Sequence, residues 1–215
     1  MPQFMAFLAE RGFAPKTVID VGVAWGTPEI YGTFPDAYYV LVEPLAEMEP
    51  TLQNILKRLK GEYHLCAAGS KNTEAELRVP PQAKDAASLI SNPNWGGGDR
   101  RTIPVRRLDD LVQGPVEGPL FIKTDCQGAD IDVVRGAPKL LEMADLVLME
   151  VQMFKAAGVY DDNQFTQVIR WMADRGFVVY DIVHYLTRPR DGALGQVNLA
   201  FVKADGSFRQ HHLWA

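Results

Sequence analysis

The sequence predicts a single α/β domain with a mostly parallel, seven-stranded sheet, helices on both faces and an antiparallel hairpin at its C-terminal end. Three observations predict it. Residues 18–23, 38–42, 120–124 and 144–151 are apolar runs with little polar alternation, as strands buried on both faces require. Between them lie segments with apolar residues at helical spacing, among them Leu52, Ile55, Leu56 and Leu59, so strand and helix alternate along the chain. Residues 177–185 and 197–203 are extended runs joined by a loop holding Asp191, Gly192 and Gly195, which reads as a hairpin.

Composition narrows the class. At 215 residues the chain suits one well-buried domain, residues 1–215, better than two. Apolar residues at 47% and charged residues at 23% are globular values and exclude disordered or fibrous classes. A formal net charge of -5 argues against a nucleic-acid partner, since backbone phosphates would be repelled. Arg100, Arg101, Arg106 and Arg107 form the one dense basic group and read as a solvated loop and strand edge, with a site for an anionic substrate as the alternative. Cys66 and Cys126 each sit in an apolar segment without a CxxC partner, as small buried residues in a reducing compartment do. No apolar run approaches the roughly 18 residues that span a bilayer, so a cytoplasmic chain without membrane insertion is expected.

Taken in order, residues 1–16 hold a short helix with Phe4, Phe7 and Leu8 on one face, closed by Gly12 and Pro15. The first strand, from Val18, runs into a turn with Asp20, Gly22 and Gly26, where glycines let backbone amides approach a ligand. Thr27, Pro28 and Glu29 then read as a hydroxyl cap, a first-turn proline and a first-turn acid. Glu43 ends the second strand about twenty residues past the turn, where an acid accepts both hydroxyls of a ribose. The helix through Leu52 and Leu59 is expected to stop at Gly61, and a third strand to run over residues 63–67. Ala67, Ala68 and Gly69 at its end are small enough for a flat adenine ring to approach.

Residues 74–79 read as an added strand and residues 80–98 as a loop or lid, which makes Ser88, Asn92, Asn94 and Trp95 candidates for ligand contact. Residues 103–105 are extended, and Leu108 to Leu111 opens a small helix. The strand over 120–124 ends in Lys123, Thr124 and Asp125, followed by Cys126, Gln127, Gly128, Ala129 and Asp130 and a helix burying Ile131 and Val134. Glu150 contradicts the apolar pattern of its strand, so it needs a partner or a role. Val168, Ile169, Trp171 and Met172 define an amphipathic helix that stops at Gly176.

The glycine spacing separates two cofactor classes. A dinucleotide fingerprint needs glycines at its first, third and sixth positions, and only Gly22 and Gly26, four apart, are present. The order Asp20, Gly22, Gly26 instead resembles the first motif of class I S-adenosylmethionine-dependent methyltransferases. Together with Glu43–Pro44, Leu108–Asp109, the stretch from Ile122 to Ala137 and Glu150–Val151, it resembles the FkbM family of S-adenosylmethionine-dependent O-methyltransferases. The resemblance runs from about Thr17 to Lys203. It departs from the family at Val23 and Ala24, where alanine then asparagine are usual, and at Asp130, where glutamate is commoner.

The resemblance implies a Rossmann-like class I methyltransferase fold and methyl transfer to a hydroxyl of a sugar, glycolipid or polyketide-like small molecule. Under that reading Asp20, Gly22, Gly26, Glu43, Ala67 and Ser88 hold S-adenosylmethionine. Lys123, Asp125 and Glu150 form the catalytic group, with Asp125 and Glu150 as general bases or as joint ligands of Mg2+ or another divalent cation. An ion-pair cluster under the pocket is the structural alternative for these three. His184 on the penultimate strand is a further candidate base. A small-molecule or glycan acceptor is the expected partner, and a homodimer is left open. A nicotinamide-dependent oxidoreductase and a cofactor-binding module that has lost catalysis are the competing functions.

Overall fold

The computed structural model describes residues 1–81, 87–89, 98–114, 116–154, 164–211 and 213. Its strands are β1 (Thr17–Val21), β2 (Tyr38–Glu43), β3 (Lys60–Leu65), β4 (Ala67–Ala68), β5 (Thr73–Val79), β6 (Asp99–Arg106), β7 (Leu120–Thr124), β8 (Ala144–Gln152), β9 (Phe177–Thr187) and β10 (Leu194–Lys203). Its helices are α1 (Pro2–Glu10), α2 (Pro28–Thr33), α3 (Glu49–Leu56), α4 (Leu108–Leu111), α5 (Asp130–Arg135), α6 (Pro138–Met143) and α7 (Phe165–Ala173).

The main sheet has seven strands in the order β3-β2-β1-β7-β8-β10-β9. Neighbours from β3 to β8 are parallel, and β10 runs antiparallel to both β8 and β9. All five residues of β1 and of β7 are buried, as central strands covered on both faces must be. Ile19, Val21, Ile122, Val147 and Met149 face one layer, against Ile131 and Val134 of α5, Leu141 of α6 and Val168 of α7. Val18, Tyr39, Leu41, Phe121 and Leu148 face the other, against Phe4 and Leu8 of α1, Ile30 of α2 and Leu52 of α3. Period-two alternation in the strands thus meets helical stripes on both sides. The Leu108–Asp109 pair anchors this packing: Leu108 is buried, and the Asp109 carboxylate accepts the Lys139 and Leu140 N–H groups at the start of α6.

A second, three-stranded sheet, β4-β6-β5, was only partly foreseen. The expected third strand over 63–67 is in fact two strands: β3 leaves the main sheet at Leu65, and Ala67–Ala68 pairs with Val105–Arg106 of β6. Leu77, Val79, Ile103 and Val105 of the small sheet pack on Leu45 and Met48, just after β2. Arg101 ties it to the same segment through Glu47, 2.6 Å away.

Gly61 does not stop a helix. It lies in β3, where a Cβ would come within 2.1 Å of the Tyr39 carbonyl oxygen, so close strand packing requires the glycine. Thr27 precedes α2, but its hydroxyl makes no helix cap and donates instead to Asp20 Oδ2 at 3.1 Å. The expected lid over 80–98 falls largely on residues outside the described set, among them Asn92, Asn94 and Trp95.

Candidate active site

The carboxyl ends of β1, β2 and β7 open into a cavity. Gly22, Glu43, Ala67, Ser88 and Asp125 line it, together with Ala24, Cys66 and Cys126. Ligands of open α/β sheets bind at this edge, where the strand order reverses.

The floor is a close approach of two turns. Gly22 has φ +75°, and a Cβ on it would sit 2.0 Å from the Asp125 carbonyl oxygen, so glycine is obligatory there. The Gly22 N–H donates to the Val42 carbonyl, and the Asp125 N–H to the Val21 carbonyl. Ala24 also takes a left-handed conformation, φ 44°, which aims its N–H at Glu43 Oε2, 2.8 Å away. The Leu45 N–H donates to Glu43 Oε1 at 2.9 Å. Each Glu43 oxygen therefore receives one backbone N–H and keeps a second lone pair for a ligand hydroxyl. Burial pushes the Glu43 carboxyl above its ordinary range, against the two backbone donors.

Beneath the floor lies an ion-pair cluster. Lys123 Nζ is 3.0 Å from Asp20 Oδ1, donates to the Gly22 carbonyl at 3.1 Å and is 4.0 Å from Asp125 Oδ2. Asp20 Oδ2 accepts from the Tyr31 hydroxyl at 2.6 Å and from Thr27. Burial alone would lower the Lys123 ammonium, but Asp20 and Asp125 outweigh it and hold the group above its usual value. Burial and the Asp20 charge raise the Tyr31 hydroxyl.

Several predicted site residues lie outside the cavity lining. Asp20 is fully buried and does not line the cavity; its carboxylate is taken up by Lys123, Tyr31 and Thr27. Gly26, φ +94°, packs against Tyr31 and Ile55 and does not border the cavity. Lys123 also lies below the cavity, its ammonium turned toward Asp20 and the Gly22 carbonyl. His184 is exposed on β9, two strands from Glu150 with Asn198 of β10 between them in register, and is not in the lining.

Asp125 alone of the three catalytic candidates reaches the cavity, with its side chain 33% exposed. Glu150 is buried beside it, its two oxygens accepting from the Gln152 amide at 3.0 Å and the Gln196 amide at 2.8 Å. Burial, with the charges of Asp125 and Asp130, pushes the Glu150 carboxyl well above its ordinary value. A divalent cation does not fit this pair. The Glu150 oxygens are held by amides, the group favours its neutral form, and no cluster of three or more His, Cys, Asp or Glu ligands exists among the described residues.

Sequence reasoning missed the amides. Gln152 stands two residues after Glu150 and so on the same strand face, a signal that was available; Gln196 is brought opposite Gln152 only by the hairpin register. Ser88 lines the cavity. It is buried, it pairs with Arg78 of β5, and its hydroxyl donates to the Gln127 carbonyl at 3.1 Å.

A family model described as the methyltransferase FkbM domain matches residues 30–179. No curated protein matches the sequence. Among solved structures the chain is similar to magnesium protoporphyrin IX methyltransferase from Synechocystis PCC 6803 with bound S-adenosylmethionine. The identity is 10%, over 94% of this chain and 76% of that one, with a TM-score of 0.53. It is also similar to an rRNA methylase from Streptococcus thermophilus, at 11% identity over 94% of each chain and a TM-score of 0.50. At these identities the likeness is one of fold: a Rossmann-like sheet with an antiparallel C-terminal pair.

Proposed function

Because the chain belongs to the FkbM methyltransferase family and is an S-adenosylmethionine-dependent methyltransferase, we propose that its acceptor is a hydroxyl of a sugar, glycolipid or polyketide-like small molecule. When bound, S-adenosylmethionine supplies an electrophilic methyl group. The residues present fit it: Gly22 leaves the backbone bare at the cavity floor, Glu43 keeps lone pairs for both ribose hydroxyls, and Ala67 and Ala68 leave room for a flat ring.

The observation that carries the proposal is Asp125, a carboxylate lining the cavity beside Gly22 with a buried ammonium behind it. A hydroxyl attacks well only as it loses its proton, and Asp125 is a carboxylate in the cavity that can take that proton. Gln127 holds its Oδ1 at 3.2 Å, which fixes the direction in which the carboxylate accepts. Lys123 Nζ stands 4.0 Å behind the Asp125 carboxylate, and burial biases the neighbouring Glu150 toward its neutral form. A small-molecule acceptor also accords with the net charge of -5.

The test is transfer of labelled methyl from S-adenosylmethionine to a panel of nucleotide sugars, glycolipids and hydroxylated polyketides. Asp125→Asn is expected to cut transfer about 10²–10⁴-fold while S-adenosylhomocysteine affinity changes little. Transfer confined to nitrogen or carbon acceptors refutes the hydroxyl assignment. Wild-type turnover in the variant removes Asp125 from the chemistry.

A further inference from the structure

The turn after β7 takes an improbable conformation, and one buried carboxylate accepts two of its backbone amides. Gln127 and Gly128 are left-handed in succession, φ 51° and 96°, and the first of these is not a glycine. Such a residue needs its surroundings to fix it. Asp130, fully buried at the start of α5, does this with both oxygens: Oδ1 accepts the Cys126 N–H at 3.0 Å and Oδ2 the Gly128 N–H at 3.3 Å. The same turn presents Asp125, Cys126 and Ala129 to the cavity, and its Gln127 carbonyl receives the Ser88 hydroxyl.

We propose that Asp130 is a positioning residue for cofactor binding: its ionised carboxylate sets the Asp125–Gly128 turn, and loss of that charge lets the floor of the cavity relax. A neutral carboxyl has one carbonyl oxygen and one hydroxyl, and a hydroxyl facing an N–H is a poor acceptor. One of the two clamped amides is then left without a good partner.

The charged surroundings place this change near neutrality. Burial first, then the Asp125 charge, pushes Asp130 up to about 7, against the pull of its backbone donors. Asp125 and Cys126 face it from the end of β7 and Glu150 from β8, all acids. The nearest buried cation of the cluster, Lys123, is committed to Asp20 and the Gly22 carbonyl. The clamp is therefore closed above neutral pH and open below it, independently of which acceptor is methylated.

The experiment is calorimetric titration of the full chain with S-adenosylhomocysteine at pH 6, 7 and 8, for the wild type, Asp130→Asn and Asp130→Glu. The wild type is expected to lose at least fivefold in affinity between pH 8 and pH 6. Asp130→Asn should bind at pH 8 as weakly as the wild type does at pH 6 and show no further change, and Asp130→Glu should restore the pH 8 affinity. Wild-type affinity in Asp130→Asn overturns the proposal, and so does a retained pH dependence, which would assign the effect to Glu43. Hydrogen exchange of the wild type, corrected for intrinsic rates, decides the matter if Asp130→Asn does not fold. The Cys126 and Gly128 amides should lose protection from pH 8 to pH 6, and unchanged protection overturns the proposal.

Discussion

Lys123→Met separates a scaffolding lysine from a catalytic one. The ammonium is 3.0 Å from Asp20, with side chains 6% and 0% exposed, so removing it leaves a carboxylate buried beside only two hydroxyl donors, Tyr31 and Thr27. Breaking one side of a buried pair costs about 3–5 kcal/mol. For a chain of this length that corresponds to a fall of roughly 6–20 °C in Tm, at about 2–4 °C per kcal/mol. The freed Gly22 carbonyl loses its donor as well, so the loop that carries the cavity floor should loosen and S-adenosylhomocysteine affinity should fall with stability. Thermal denaturation and calorimetric titration of Lys123→Met and of the double variant Asp20→Asn/Lys123→Met measure both effects. The double variant should recover part of the lost stability, because it no longer buries an unpaired charge. The reasoning fails if Lys123→Met keeps its Tm and its cofactor affinity but loses turnover, for then the ammonium acts in the chemistry.

Two further outcomes follow from the same geometry. Ala24 sits at φ 44°, which suits asparagine better than alanine, so Ala24→Asn should raise stability by about 0.5–1 kcal/mol in urea denaturation, with an unchanged m-value. A loss instead would mean that the side chain collides within the loop. Glu150 has its folded-state value raised above the ordinary carboxylate range, so the folded chain binds its proton more tightly than the unfolded one. That contribution is fully present below the ordinary carboxylate value and is lost as pH rises toward the folded value. Glu150→Gln keeps the shape and removes the ionisation, so its Tm advantage over the wild type should grow from pH 5 to pH 8. A constant difference across that range refutes the assignment.

The fold was legible because burial on both faces of the central strands leaves unbroken apolar runs, and because glycine and acid spacing marks the strand ends. Glu43 and Gly22 could be placed from spacing alone, since both sit at strand termini where the backbone fixes the position. Asp20 could not. Its position in the sequence motif suggests a ligand contact, but side chains alternate along β1, and its partner Lys123 lies opposite it in the β1–β7 register, more than a hundred residues away. The small sheet was obscured for a related reason: the chain switches sheets within the single residue Cys66, and a two-residue strand has no periodicity to read. The glutamines around Glu150 come together only through the antiparallel pairing of β10 with β8.

The central place of β1 between β2 and β7 bears on how the chain is made. When β1 emerges from a ribosome, one of its neighbours, β2, follows within some twenty residues, but the other begins only at Leu120. At about 5–20 residues per second, the open side of β1 waits several seconds or longer for its partner. Throughout that interval Asp20 has no lysine and Gly22 has no turn against it, so the nascent half-sheet exposes both a bare hydrogen-bonding edge and an uncompensated acid. The late arrival of β7 therefore covers the open edge of β1 and neutralises the centre of the sheet in one event, and the cavity cannot exist before it.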